Sequence, residues 1–352
     1  MADPRSGATE TIHGKAEVVT DDAKVHEHEL IIVGAGPAGL CAALYAGRSE
    51  MDAVLLEAGF PGGQLLLTEL VDDYPGVEEI GGMELAQKMA EHARRFGVDV
   101  TRGHVSRVAR EPDGTFRVEV DGGDVYRAPA IVYTAGGTPK KLDVPGEVEY
   151  MGKGVSYCAI CDGAFFKGED IAVIGGGDSA VEEGEFLTRY GSSVTLVHRR
   201  DALRAQAVLQ KRFLEDPKTS VLWDTVVEEI VGDGKQATGL ALHDLKTGER
   251  SELSATGVFI FIGFTPNVKI LDFHVDHDPG GYIIADRDMR TSVPGLFVAG
   301  DVRSQLVRQI TTAVGDATTA VFAAEKYLQD LHERAPTASD AGADAARERQ
   351  AV

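Results

Sequence analysis

Two of the chain's three cysteines stand three positions apart, in Ser156-Tyr157-Cys158-Ala159-Ile160-Cys161-Asp162-Gly163. A pair at that spacing can close as a disulfide and open again. Its geometry draws one thiol's pKa toward neutrality, which suits exchange with a partner disulfide. The competing chemistry is a metal site. Structural zinc usually takes four ligands, and no second Cys-x-x-Cys or His-x-x-x-His completes a set here. Cys41 falls in an apolar helical pattern and reads as a small buried hydrophobe. Redox use is the better reading, and no metal is expected.

The segments around this pair are of a kind that holds dinucleotides. Leu30-Ile31-Ile32-Val33 runs into Gly34-Ala35-Gly36-Pro37-Ala38-Gly39, a G-x-G-x-x-G turn, and an alanine- and leucine-rich helix follows over 40–47. In such a turn Gly34 permits the tight bend, Gly36 lets the backbone approach a pyrophosphate, and Gly39 lets helix and strand pack closely. A second strand, 53–56, ends at Glu57, 18 residues beyond Gly39, where an acid can hold the ribose hydroxyls of FAD or NAD. The pattern recurs 141 residues later as Ile171-Ala172-Val173-Ile174 leading into Gly175-Gly176-Gly177-Asp178-Ser179-Ala180. The strand after it, 194–197, ends not in an acid but in His198-Arg199-Arg200, with Arg204 close behind. Guanidinium groups pair with phosphate through forked hydrogen bonds, so this second site is suited to the 2′-phosphate of NADPH. A solvated basic loop is the alternative.

A length of 352 residues suggests two domains. The net charge of −21 disfavours nucleic acid or anionic membrane as partners. No run of 18 apolar residues and no signal-peptide pattern is found, so a cytoplasmic location is expected. Residues 1–27 read as a flexible extension, and 331–352 have the composition of a disordered tail. Between them, strands alternate with helices in an α/β, doubly wound pattern. An amphipathic helix is expected over 84–96, strands at 98–100, 116–120, 130–133 and 258–262, and a helix over 309–328. The strand ending in Ala299-Gly300-Asp301 returns to the first domain. The expected organisation is two Rossmann-like domains, with an NADPH domain at 141–265 inserted into a discontinuous FAD domain formed by 28–140 and 266–330.

Gly62-Gly63-Gln64-Leu65, the Cys158–Gly163 segment, the Gly175–Ala180 turn, the His198–Arg204 cluster and Ala299-Gly300-Asp301-Val302 with Arg308-Gln309 occur in the order found in the low-molecular-weight thioredoxin reductases. The chain resembles that family over about 28–330. The resemblance implies FAD in the first site, NADPH in the second, thioredoxin as the disulfide substrate, and a homodimer. It implies that Cys161 lies against the flavin, that Cys158 is the more exposed thiol that attacks the partner, and that Asp162 is the acid/base for the leaving thiolate. Asp162 is also placed to be a helix cap. Together with the turn physics, it assigns Gly34, Gly36, Pro37, Ala38, Glu57, Gly63, Gln64, Asp301, Arg308, Gln309 and Ile310 to FAD. Gly175, Gly177, Asp178, Ser179, Ala180, Arg199, Arg200 and Arg204 fall to NADPH, with His198 either packing beside the adenine or capping its strand.

Two positions depart from the family. Asp73 stands where an asparagine is usual near the flavin, and Ile310 replaces an alanine. A dithiol oxidase or a ferredoxin-fed reductase would share the fold, but such relatives typically lack the arginine cluster. A non-enzymatic redox sensor would rest only on the acidic surface and the tail. The two joints, Gly136-Gly137-Thr138-Pro139 and Gly263-Phe264-Thr265-Pro266, are candidate hinges, because cysteines and NADPH turn share one module and must serve one flavin.

Overall fold

The structure is a computed structural model and describes residues 24–68 and 70–334. The helices among them are α1 (Pro37–Arg48), α2 (Gly82–Arg94), α3 (Ala159–Asp162), α4 (Asp178–Leu187), α5 (Ala207–Glu215) and α6 (Ile310–Arg334). The first module is built on a five-stranded parallel sheet, in the order Leu296–Val298, Ala130–Tyr133, Leu30–Val33, Ala53–Glu57, Val100–Arg102. Its strands are nearly continuous apolar runs because both faces are covered. Successive side chains alternate between faces. Leu30 and Ile32 therefore enter a core with α1, α2 and α6. Ile31 and Val33 enter a second core against a mixed sheet in which Val25–Glu27 pairs parallel with Val125–Ala128, and Phe116–Val120 and Val105–Arg110 follow antiparallel.

The second module repeats this plan. Its parallel sheet runs Val155–Ser156, Gly257–Phe261, Asp170–Gly175, Ser193–Val197, Thr219–Leu222. Ile171 and Val173 pack toward α4 and α5. Ala172 and Ile174 face an antiparallel sheet formed by Thr225–Gly232, Ala237–Asp244 and Arg250–Ser254. This module lies between Ala130–Tyr133 and Leu296–Val298, which pair in one sheet, so the first module is discontinuous in sequence. The crossings are Gly137–Pro139 and Phe264–Pro266, which pair with each other antiparallel. Asn267 secures their base. Its backbone N–H donates to Gly136 O at 3.0 Å, its Nδ2 to Ala135 O at 2.8 Å, and its Oδ1 accepts the Thr138 hydroxyl at 2.7 Å.

Several expectations shift. Val25–Glu27, assigned to a flexible extension, is a strand paired with Val125–Arg127, held there by the sheet edge and by His26 stacking on Tyr126 at 4.7 Å. The last helix continues past Leu328 to Arg334, since no helix breaker occurs before Pro336. The strand expected at 98–100 forms at Val100–Arg102. Residues 1–23 of the expected extension and 335–352 of the expected tail lie outside the described residues. Among the described residues no helix is long and apolar enough to cross a membrane, and no group of three or more His, Cys, Asp or Glu side chains is placed to hold a metal.

Candidate active site

The first glycine turn links the strand Leu30–Val33 to α1, whose N-terminal cap is Gly36. A Cβ on Gly39 would stand 1.8 Å from Gly34 O, so only glycine permits this packing of helix on turn. The Thr134 hydroxyl, on the neighbouring strand's end, lies 2.8 Å from both the Val33 and Gly34 carbonyls. Glu57 accepts the Ala35 N–H at 2.8 Å and the Gly59 N–H at 2.9 Å. Its carboxylate is thereby fixed with lone pairs to spare. At the other end of the site, Asp301 sits on a short 3-10 turn after the strand Leu296–Val298. Burial pushes its carboxyl up, against the opposing effect of Arg308. The Arg308 guanidinium lies 3.8 Å over the Tyr282 ring.

All the residues expected of the first site, Gly34 through Ile310, line one cavity of about 890 Å³. That size lies near the top of the usual range for small-molecule sites, about 300–1,000 Å³. A helix N-terminus at an open glycine backbone, an acid at the second strand's end and a cavity of this size fit a bound dinucleotide such as FAD. One supporting pair was not foreseen. Asp316 on α6, 6% exposed, accepts Nε and Nη2 of Arg303 at 2.9 Å each and the Gly300 N–H at 3.3 Å. It ties the Asp301 turn to α6. Nothing in local sequence marks it, because the partners are 13 residues apart across a turn.

The second turn joins the strand Asp170–Gly175 to α4, capped by Gly177. Of its residues, Asp178 and Ser179 reach the same cavity as the first turn. His198, expected either to pack beside an adenine or to cap its strand, is bonded in place at the strand's end. It is 5% exposed, with Nδ1 2.7 Å from Gly175 O and Nε2 3.0 Å from Ala202 O. A Cβ on Gly176 would meet its Nδ1 at 2.2 Å, so the imidazole lies flush beneath the turn and does not present a face outward. Arg199, Arg200 and Arg204 are exposed. The Arg204 backbone N–H donates to Gly176 O at 2.7 Å, which holds the basic loop against the turn.

Cys158 and Cys161 are joined as a disulfide at the start of α3. Cys158 is the residue capping that helix, and its Sγ accepts the Cys161 N–H at 3.1 Å. Asp162 makes no side-chain cap bond; its carboxylate accepts the Ser156 hydroxyl at 2.6 Å. Ser156, 4% exposed, also accepts the Cys158 N–H at 3.0 Å, so one buried hydroxyl ties the disulfide to Asp162. Its place in the motif was visible, but not this contact. The exposures of the two cysteines differ from those expected. Cys158 is half-buried and Cys161 is the exposed member of the pair. Neither cysteine lines the cavity, although the adjacent Tyr157 does; from the second module's helices α4 supplies Asp178, Ser179, Glu182 and Glu183 to it.

Tyr157 donates to Glu147, a carboxylate 1% exposed that also accepts the Leu142 and Asp143 N–H groups at 2.9 and 2.7 Å. Burial and then Glu147 push the Tyr157 hydroxyl's pKa upward. Beside the cavity, Asp72 and Asp73 of the first module face Asp178, Glu182 and Glu185 of α4. Burial, then Asp72, Asp73, Asp178 and Glu185, push Glu182 up to about 7. Asp73 is likewise raised, by burial first and then by Asp72 and Asp178.

Residues 28–317 match the model of the pyridine nucleotide-disulphide oxidoreductases. The thioredoxin reductase of Listeria monocytogenes is 47% identical over 308 residues, 87% of this chain and 95% of that protein. The crystal structure of Lactococcus lactis thioredoxin reductase, designated the FR conformation, matches with a TM-score of 0.84 at 44% identity, covering 86% of this chain and 99% of that one. The thioredoxin reductase of Streptococcus pyogenes, with the same coverage and 43% identity, matches with a TM-score of 0.56. The chain belongs to the pyridine nucleotide-disulphide oxidoreductases and, within them, to the low-molecular-weight thioredoxin reductases.

Proposed function

We propose that this protein carries electrons from NADPH, through bound FAD and the Cys158–Cys161 disulfide, to the disulfide of a thioredoxin. The observation that carries this reading is one cavity lined by both glycine turns, with a redox disulfide on the second module outside it. Bound FAD would supply a two-electron carrier between nicotinamide and disulfide. The cavity residues from Gly34 to Ile310 would hold it, with Glu57 and Asp301 toward hydroxyls and phosphate. Gly175, Gly177, Asp178, Ser179 and Ala180 would seat the NADPH pyrophosphate at the α4 N-terminus. Arg199, Arg200 and Arg204 would take its 2′-phosphate, which argues against the oxygen- and ferredoxin-dependent relatives.

Once the pair is reduced, one thiolate attacks the partner disulfide, forming a mixed disulfide and releasing one partner thiolate. The second cysteine then attacks the first, which restores the Cys158–Cys161 bond and releases the other partner thiol. Exposure favours Cys161 as the attacking sulfur, with Cys158 resolving. Asp162, oriented by Ser156, is placed to supply protons to the departing thiolates. The sum is NADPH, one proton and a disulfide converted to NADP⁺ and a dithiol.

A cysteine pair outside the cavity requires a second arrangement of the modules. Two relatives of nearly equal identity and coverage that differ in TM-score, 0.84 against 0.56, support two arrangements of the same parts. The paired strands Gly137–Pro139 and Phe264–Pro266 are the expected pivot. The test is an NADPH-linked thioredoxin assay on protein loaded with FAD, with and without a cross-link fixing the present arrangement. The linked protein should let NADPH bleach the flavin yet fail to turn over thioredoxin. Normal turnover when linked would remove the rotation, and flavin that NADPH leaves oxidised in the free protein would remove the electron path.

A further inference from the structure

An ion pair crosses between the two modules away from the joint. Nη1 and Nη2 of Arg212, on α5, each donate to Asp72 Oδ2 at 3.1 Å, and both residues line the shared cavity. The surroundings are strongly acidic. Asp72 and Asp73 approach from the first module, and Asp178, Glu182 and Glu185 from α4. Arg212 also acts on Glu185 and Glu182, so it faces carboxylates on both sides of the boundary. Without a cation at this position, the arrangement that brings the nucleotide turn to the flavin cavity would press like charges together.

We propose that Arg212 and Asp72 are positioning residues for the NADPH half-reaction, holding the second module with its nucleotide turn over the flavin cavity. The inference rests on the electron path and the two module arrangements given above. Side-chain exposures of 45% and 33% keep the pair modest. An exposed pair biases an equilibrium by about two- to five-fold. That suffices where two arrangements lie close in energy, since a population follows the difference between states.

The experiment uses FAD-loaded protein and follows the two half-reactions separately by stopped flow: flavin bleaching by NADPH, and reoxidation of reduced protein by thioredoxin. Arg212→Gln should slow bleaching about two- to five-fold at low ionic strength, with reoxidation unchanged or faster. Salt near 1 M should bring the wild-type protein toward the variant by screening the pair. Arg212→Lys, which keeps the charge, should retain most of the rate, and the exchange Asp72→Arg with Arg212→Asp should recover part of it. Bleaching by Arg212→Gln at the wild-type rate overturns the positioning role. So does equal slowing of both half-reactions, which would mark a general defect, or an Arg212→Lys variant as slow as Arg212→Gln. Wild-type flavin left oxidised by NADPH would overturn the electron path as well. Normal wild-type bleaching with an unaffected Arg212→Gln overturns the ion pair's role alone.

Discussion

Replacing Arg199, Arg200 and Arg204 together by alanine should cost the protein its preference for NADPH over NADH. The three guanidinium groups are exposed on the loop after Ser193–Val197, beside the α4 turn. A charge-assisted hydrogen bond contributes about 1.5–3 kcal/mol. Solvent access places these contacts at the lower end of that range. Two of them to one phosphate then amount to about 3 kcal/mol, or about a hundred-fold in kcat/KM, at ten-fold per 1.4 kcal/mol. NADH lacks the 2′-phosphate, so its kcat/KM should move by less than about three-fold, the scale of small changes in local field. The assay is steady-state oxidation of each nucleotide at saturating thioredoxin. A salt series should narrow the wild-type gap between nucleotides, since exposed charges are screened over about 8–10 Å. Equal losses for both nucleotides, or a wild-type protein with no preference, would refute the assignment. Turn residues behind the arginines provide the internal control. His198 is bonded to Gly175 O and Ala202 O, so His198→Ala should harm both nucleotides alike.

Other outcomes follow from the same geometry. Cys158→Ser and Cys161→Ser should each retain FAD and its bleaching by NADPH while losing thioredoxin turnover, and Cys158→Ser should trap a mixed disulfide through Cys161, visible by mass spectrometry; trapping through Cys158 alone would reverse the roles. Glu182 has its pKa raised from 4.5 to about 7, so the folded state binds more protons than the unfolded state between those values. Its contribution to stability therefore falls as pH rises through that window. Glu182→Gln should flatten this slope in urea melts, and an unchanged slope would count against the repulsion. Arg303→Ala leaves the Asp316 carboxylate, 6% exposed, without its forked partner and should lower stability by about 3–5 kcal/mol, checked by denaturant unfolding.

The local patterns were legible because they are short-range. A strand entering a glycine turn entering a helix has a fixed spacing, and an arginine cluster or an acid at the next strand's end is visible in the sequence as charge alone. The two modules, the insertion and the cysteine pair follow from such patterns, and strands form at 116–120, where the residues alternate, and at 130–133, where they are continuously apolar. The covering sheets left weaker signals, since one face of each is solvated and their pairings join distant segments. Val25–Glu27 is ordered by a partner 100 residues away and so escaped a reading based on its own composition.

Contacts across large separations were settled only by the tertiary structure. Burial assigned His198 to its turn, because two carbonyls and a glycine surround the ring in three dimensions. Folding left Cys161 more exposed than Cys158, which identical residue types at fixed spacing could not distinguish. The Arg303–Asp316 fork, the Glu147 clamp on Tyr157 and the Arg212–Asp72 pair depend on chain paths that meet only after folding. The sequence by itself determined which chemistry the chain carries, since residue type and local spacing suffice for a glycine turn or a dithiol. The tertiary structure alone decided which of those parts face one another, because that depends on how two separately packed modules are turned about a narrow two-strand joint.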